Sequence, residues 1–335
     1  MKNKVQQIAV LGSGAWGSAL ANVLADNGHE VIIYGINEKE IEDINLHHQN
    51  QKFFSAKLHE NIKATKNLKE AINKANYIII AVPSFAIDEI IEKLKNERLD
   101  NPIIINVTKG LDKRTNTTIM QHLKIKIKEL NIKGVVSLLG PSFAKEVAER
   151  KHTVITSVSE NDIISKKVQH LFSNKYFRVY TNNDEIGSEY CAALKNVIAL
   201  ASGMLEGYGL GNNIHAALIA RGLKEITRFV SLMGGKEETC LGLTGLGDLV
   251  LTCSSTLSRN YEAGIKIAQL GSYQKFKEIN SKTVEGIYAC SIAYNIAKSN
   301  NIYAPIVSAI YHIINNNADP KKELDKLMTG KLKKE

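Results

Sequence analysis

A glycine-rich hexapeptide, Gly12-Ser13-Gly14-Ala15-Trp16-Gly17, directly follows a short β-branched run and opens a helical stretch. G-x-G-x-x-G between a strand and a helix is a cradle for a dinucleotide. The first glycine permits the tight turn, the second lets backbone approach a pyrophosphate, and the third allows close helix–strand packing. Free N–H groups and the helix dipole then favour the anion. A turn that serves only packing could use the same glycines, but its place at the head of a strand–helix unit favours a dinucleotide. Trp16 reads as a core aromatic or as a cover over the dinucleotide.

Several polar residues further along could carry acid–base or anion chemistry. Lys195 lies in an otherwise apolar helical stretch, Cys191–Ala201. Partial burial there would lower its pKa and let it exchange a proton near neutral pH. By spacing alone the plainer reading, a lysine reaching out from a helix edge, stands ahead. Lys109 follows a strand at the carboxyl edge of a parallel sheet, where ligands bind, although an exposed loop lysine would look the same. Gly245-Leu246-Gly247 sets one carboxylate, Asp248, in a tight segment, with Thr252 one helical turn on; Asp248 could also be a plain helix N-cap. Ser258-Arg259-Asn260 opens an amphipathic helix, either as a phosphate site or as an ordinary cap beside a surface arginine. Gly140-Pro141-Ser142 ends a strand before a helix at Phe143, so Ser142 could touch a substrate oxygen, cap the helix, or do both.

These residues need a scaffold to bring them together. Strands are expected at Ile8–Leu11, Glu30–Tyr34, Tyr77–Val82, Ile103–Val107, Val135–Leu139, Thr153–Ser157 and Arg178–Tyr180. Ser18–Ala25, Ile41–His47, Ala86–Leu94 and Thr117–Leu130 read as helices between them. That alternation predicts βαβ units and a mostly parallel sheet. After Asn182 the spacing is helical throughout, over Asp184–Met204, Asn213–Met233, Arg259–Leu270, Glu285–Lys298, Ile306–Asn315 and Pro320–Leu327. The expected fold class is α/β: a Rossmann-type, doubly wound, mostly parallel sheet over residues 1–183, followed by an all-α domain over 184–335. The second strand should end near Tyr34-Gly35, where an Asp or Glu would hold the adenosine ribose and favour NAD. Ile36 and Asn37 stand there instead; the first acid is Glu38 and the nearest cation Lys39, so both NAD and NADP are expected to serve.

Taken in order, these segments resemble the bacterial NAD(P)-dependent glycerol-3-phosphate dehydrogenases over essentially the whole chain. The resemblance rests on Gly12–Gly17, Val82-Pro83-Ser84, Thr108-Lys109-Gly110-Leu111, Gly140–Glu146, Leu194-Lys195-Asn196-Val197, Gly245–Leu249 with Thr252, Ser258-Arg259-Asn260 and Val284-Glu285-Gly286. It implies hydride transfer between NAD(P)H and dihydroxyacetone phosphate, giving sn-glycerol 3-phosphate for phospholipid synthesis. It places the catalytic lysine on Lys195, with Lys109, Asp248, Asn196 and Thr252 in its pocket. It assigns substrate to Lys109, Gly140, Ser142, Lys195, Asp248, Ser258, Arg259 and Asn260. Cofactor contacts fall on Gly12, Ser13, Gly14, Ala15, Trp16, Gly17, Phe53, Lys109, Ala144, Arg259, Thr283 and Glu285. Members commonly carry His or Arg where Ile36 and Asn37 stand, so this chain departs from its relatives at the adenosine end. A related β-hydroxyacid or ketopantoate-type reductase would share the glycine loop and a lysine without needing a phosphate site.

Length and composition fit this picture. The 335 residues suit two domains, and 44% hydrophobic with 23% charged residues is ordinary for a folded, water-exposed chain. The net charge of +9 is spread along the sequence, with no basic run of five or six, so a lysine-rich surface and an anionic small substrate are expected rather than nucleic acid. Lys331, Lys333 and Lys334 read as a terminal tail. The 4 cysteines form no C-x-x-C pair, and scattered His and Cys suggest no metal site. Buried reduced thiols and a polar start, Met1 to Gln7, leading straight into a strand are read as a cytoplasmic protein without membrane insertion. The helical half is expected to make a homodimer.

Overall fold

The computed structural model describes residues 4–330, so Met1–Asn3 of the polar start and the basic tail at Lys331, Lys333 and Lys334 lie outside the described residues. Packing divides the chain into two units. One runs to Thr108 and resumes over Ile119–Glu185; the other takes Lys109–Thr118 and continues from Ile186. The sequence reading put a single boundary at 183/184. The observed division falls two residues later and hands a ten-residue excursion to the second unit, because Leu111 packs into that unit's core.

The first unit is an eight-stranded sheet: β1 (Gln7–Leu11), β2 (Glu30–Tyr34), β3 (Ile62–Thr65), β4 (Tyr77–Ile80), β5 (Ile103–Asn106), β6 (Gly134–Leu139), β7 (Thr153–Val158) and β8 (Phe177–Asn182). Their order is β3-β2-β1-β4-β5-β6-β7-β8, and every neighbouring pair is parallel except β6 with β7. The first six follow the doubly wound dinucleotide-binding order, which puts the β1 and β4 carboxyl ends at the topological switch point. Side chains of each strand feed alternate faces. Ile8, Val10, Ile79 and Ile105 enter one core, whereas Ala9, Leu11, Ile78, Ile80 and Ile104 enter the other. Burial on both faces is why these strands read as unbroken apolar runs. The sequence reading missed β3. Four residues long and at the sheet edge, it carries an exposed Lys63 between buried Ile62 and Ala64, a faint signal by itself. Helices Leu68–Ile72, Asp162–Phe172 and Tyr273–Ile279 were also unforeseen, and the expected Thr117–Leu130 helix contracts to Ile119–Lys126.

The second unit is helical. Its central helix, Glu185–Gly207, is buried almost all round: within Tyr190–Ala201, positions such as Cys191, Leu194, Val197 and Leu200 expose 1% or less. A helix apolar on every side belongs in a core. The Arg259–Leu270 helix crosses it at backbone contact, since a Cβ on Gly203 would run into the Tyr261 carbonyl and one on Gly264 into the Leu200 carbonyl. The Pro305–Asn315 helix is capped from afar. Glu225, 2% exposed, accepts from Ile306 N–H at 2.7 Å and Val307 N–H at 3.2 Å. Among the described residues, no helix is long and apolar enough to cross a membrane, and no group of His, Cys, Asp and Glu is placed to hold a metal ion.

Candidate active site

In the first unit, the glycine loop joins β1 to the Ala15–Asp26 helix. Gly12 has φ +125°, and a Cβ on it would meet the Ala81 carbonyl oxygen at 2.5 Å, so no other residue fits this turn. Over Gly14 a Cβ would meet nothing within 4 Å, and the helix that follows has no side-chain cap. The loop therefore presents open space to backbone N–H groups at a helix start, which suits a pyrophosphate. The buried Trp16 indole N–H has no acceptor among the described residues. These features fit a dinucleotide.

Sequence reasoning missed what holds this loop. Ser13 Oγ donates to Glu40 Oε2 at 2.5 Å, and Asn50 Nδ2 donates to the Ser13 carbonyl at 2.8 Å. A carboxylate does stand near the end of β2, contrary to the expectation; it is Glu40, 8% exposed, turned in from the Glu38–Glu42 helix. The Asn37-x-x-Glu40 spacing marks that helix start, with Asn37 Oδ1 accepting from Glu40 N–H, but no local pattern says where the carboxylate goes. Phe53 lies partly buried against the core that receives Ile8 and Val10. Gly140, at φ +138°, and Ser142 follow β6; Ser142 Oγ donates to the Gly140 carbonyl at 3.1 Å. Ser142 is thus no helix cap: Phe143 holds the N-cap position before Ala144.

The second unit assembles a buried cluster of charged and polar side chains. Lys195, 5% exposed, donates to Asp248 Oδ1 at 2.5 Å and to Thr252 Oγ1 at 2.8 Å. Thr252 in turn donates to the Asp248 main-chain carbonyl at 2.6 Å. Lys109, from the excursion segment, donates to the other carboxylate oxygen, Oδ2, at 2.9 Å. Two lysines therefore flank one carboxylate. Asp248 is 1% exposed and opens the Asp248–Cys253 helix, so its side chain serves the lysines rather than a cap. Burial pushes the Lys195 ammonium down to about 8; Asp248 opposes that fall and Lys109 adds to it. Burial acts to raise the Asp248 carboxyl, but the charges of Lys109 and Lys195 outweigh it and hold the group below the ordinary carboxylate range.

Other predicted residues of the second unit are joined by hydrogen bonds of their own. Asn260 Nδ2 donates to Asn196 Oδ1 at 3.0 Å, and Asn260 Oδ1 accepts from Gly286 N–H at 2.9 Å. Asn260 thus ties the central helix to the Glu285–Ser299 helix, at whose start stand Thr283 and Glu285. Ser258 Oγ caps the Arg259–Leu270 helix by accepting from Tyr261 N–H at 3.3 Å. Arg259, the first residue of that helix, is exposed.

A doubly wound sheet with a glycine cradle, joined in one chain to a helical unit bearing a buried lysine–aspartate cluster, defines a two-domain nicotinamide-dependent oxidoreductase. Comparison narrows the class. Residues 7–164 match the model for the NAD-dependent glycerol-3-phosphate dehydrogenase N-terminus and residues 184–325 that for its C-terminus, and the chain belongs to this family. It is 43% identical over 333 residues to an Acholeplasma laidlawii glycerol-3-phosphate dehydrogenase [NAD(P)+], covering 98% of this chain and 99% of that one. The crystal structure of the Coxiella burnetii glycerol-3-phosphate dehydrogenase superposes with a TM-score of 0.90 at 34% identity, over 97% of this chain and 99% of the other. A ketopantoate reductase from Ralstonia eutropha shares only the fold, with a TM-score of 0.58 at 14% identity over 96% and 99%.

Proposed function

We propose that this chain interconverts dihydroxyacetone phosphate and sn-glycerol 3-phosphate with NAD(P)H. The observation that carries the chemistry is the state of the Lys195 ammonium. Of its three N–H bonds, one goes to Asp248 and one to Thr252, leaving the third for a substrate oxygen. A dinucleotide held by the Gly12–Gly17 loop would supply or accept the hydride. Reducing a ketone also requires a proton on the carbonyl oxygen, and Lys195, with a pKa brought to about 8, can deliver it near neutral pH and recover it in the reverse direction. Asp248 fixes the ammonium's position and, with Lys109 on its other oxygen, keeps the cluster's charge near one positive unit. That residual charge stabilises the oxygen as it turns anionic.

Asn196 and Asn260 brace the lysine-bearing helix through their mutual hydrogen bond. Arg259, with Ser258 and Asn260 at the start of a 12-residue helix, offers the substrate phosphate an exposed guanidinium and a helix N-terminus. Gly140 and Ser142 are assigned to the same substrate, and Ala144, Phe53, Thr283 and Glu285 to the dinucleotide, on the strength of the family pattern. Supply of glycerophospholipid synthesis, a cytoplasmic location and a homodimer belong to the same proposal.

The test compares dihydroxyacetone phosphate with dihydroxyacetone, following NADPH and NADH oxidation separately. Turnover of the phosphorylated ketone, with the plain ketone nearly inert, is expected. Comparable rates with both would contradict the phosphate site and favour the ketopantoate-type alternative.

A further inference from the structure

We infer that Lys52 is the residue through which this chain distinguishes NADPH from NADH, its ammonium fixed beside the glycine loop by the buried carboxylate of Glu40. The inference rests on the reading of Gly12–Gly17 as the dinucleotide cradle.

Adenosine ribose is recognised at the carboxyl end of the second strand in this fold. The residues expected there are poorly equipped for the task. Gly35 has no side chain, and a Cβ on it would sit 2.6 Å from Ser13 Oγ. Ile36 is 80% exposed and apolar. The Asn37 carboxamide accepts from Glu40 N–H in capping its helix. Glu40 supplies the missing charge, but its carboxylate is buried, with Oε2 taken by Ser13 and Oε1 by Lys52 Nζ at 2.6 Å. It is poorly placed to take ribose hydroxyls and well placed to position a cation.

Lys52 is that cation, with 59% of its side chain exposed. Two independent tethers bring it to the loop. Glu40 links it to the Ser13 hydroxyl, while Asn50, fully buried two residues earlier, donates to the Ser13 carbonyl and to Ser18 Oγ at 2.9 Å. The ammonium also lies 5.2 Å from the centroid of the Phe53 ring. A lysine on a free stem surrenders rotamer entropy when it binds a phosphate; one already held by a carboxylate and a ring surrenders less. One N–H of the ammonium goes to Glu40, and the group carries two more for phosphate oxygens. Lys52 thus provides the charge that His or Arg would provide at Ile36 and Asn37, from a different segment of the chain. Lys39 and Lys66 share the hollow of Ile36 and Asn37 with two acids, Glu38, which lies 3.7 Å from Lys66, and Glu42, whereas the Lys52 ammonium is tied to the glycine loop itself.

The experiment is direct titration of NADPH and NADH, followed by nicotinamide fluorescence or calorimetry, on wild type, Lys52→Ala and Lys52→Arg. Lys52→Ala should weaken NADPH roughly tenfold, the low end for a charge-assisted contact at an exposed site, and leave NADH within about twofold. Lys52→Arg should restore NADPH binding. Equal weakening of both cofactors would place the ammonium on the shared pyrophosphate and overturn the inference, as would an unchanged NADPH affinity. Wild type binding neither cofactor would instead overturn the underlying reading of the cradle.

Discussion

Replacing Lys195 by Ala removes the proposed proton donor but leaves Asp248 compensated, because Lys109 still holds its Oδ2. The variant should therefore fold. The sign of its neighbour's influence gives a separate test. Asp248 holds the Lys195 pKa up against burial, so Asp248→Asn lets it fall below about 8. In the reducing direction activity needs the ammonium and declines as pH rises through this pKa; in the oxidising direction it needs the amine and rises. The Asp248→Asn variant should shift both limbs to lower pH in kcat profiles, and a shift to higher pH would contradict the electrostatic account. Arg259→Ala should raise KM for dihydroxyacetone phosphate about ten- to a hundredfold, the value of a charge-assisted phosphate contact of roughly 1.5–3 kcal/mol. An unchanged KM would move the phosphate elsewhere, with Lys109 the next candidate.

At the scale of elements, the crossing of the Glu185–Gly207 and Arg259–Leu270 helices sets Asn260 against Asn196. Gly264→Ala drives a methyl into the Leu200 carbonyl, so it should cost roughly 1–3 kcal/mol by overpacking and lower kcat by disturbing the lysine-bearing helix. Denaturant unfolding reads the first effect, and an unaltered midpoint would show that the crossing can relax. The Glu225 cap makes a pH prediction. Burial raises its carboxyl to about 7, above the ordinary 4.5, against the two backbone N–H groups and nearby arginines that pull it down. An acid with a raised folded pKa adds stability that is complete below its unfolded pKa and is lost as pH rises through the folded one. The stability advantage of wild type over Glu225→Gln should accordingly shrink between about pH 4.5 and 7, and a growing advantage would refute the assignment.

What could be read from the sequence divides along the same line. The glycine loop, the apolar strands, and Asp248 with Thr252 one turn on announce themselves locally, through spacing and residue type. Lys195 was visible only as an anomaly in an apolar helix, and the resemblance to a family gave it a role. Contacts far apart in the chain left no such trace. Ser13 and Glu40 are 27 positions apart, Glu225 and Ile306 81, and Lys109 and Asp248 139. Such pairings depend on which elements become neighbours, which periodicity does not encode.

Across the whole molecule, the net charge of +9 gives the phosphorylated reactants an attractive field. Salt shortens the screening length from about 10 Å at 0.1 M to about 3 Å at 1 M, so KM for dihydroxyacetone phosphate should climb with ionic strength; a salt-independent KM would contradict a charged phosphate site. The central claim is that one buried lysine moves the proton while the glycine cradle independently holds the cofactor. The most direct measurement is the rate of dihydroxyacetone phosphate reduction by Lys195→Ala, with NADPH binding titrated on the same preparation. Loss of general acid catalysis predicts a kcat lower by about 10²–10⁴-fold with NADPH affinity unchanged. A variant that kept more than about a tenth of wild-type kcat while binding NADPH normally would contradict the claim.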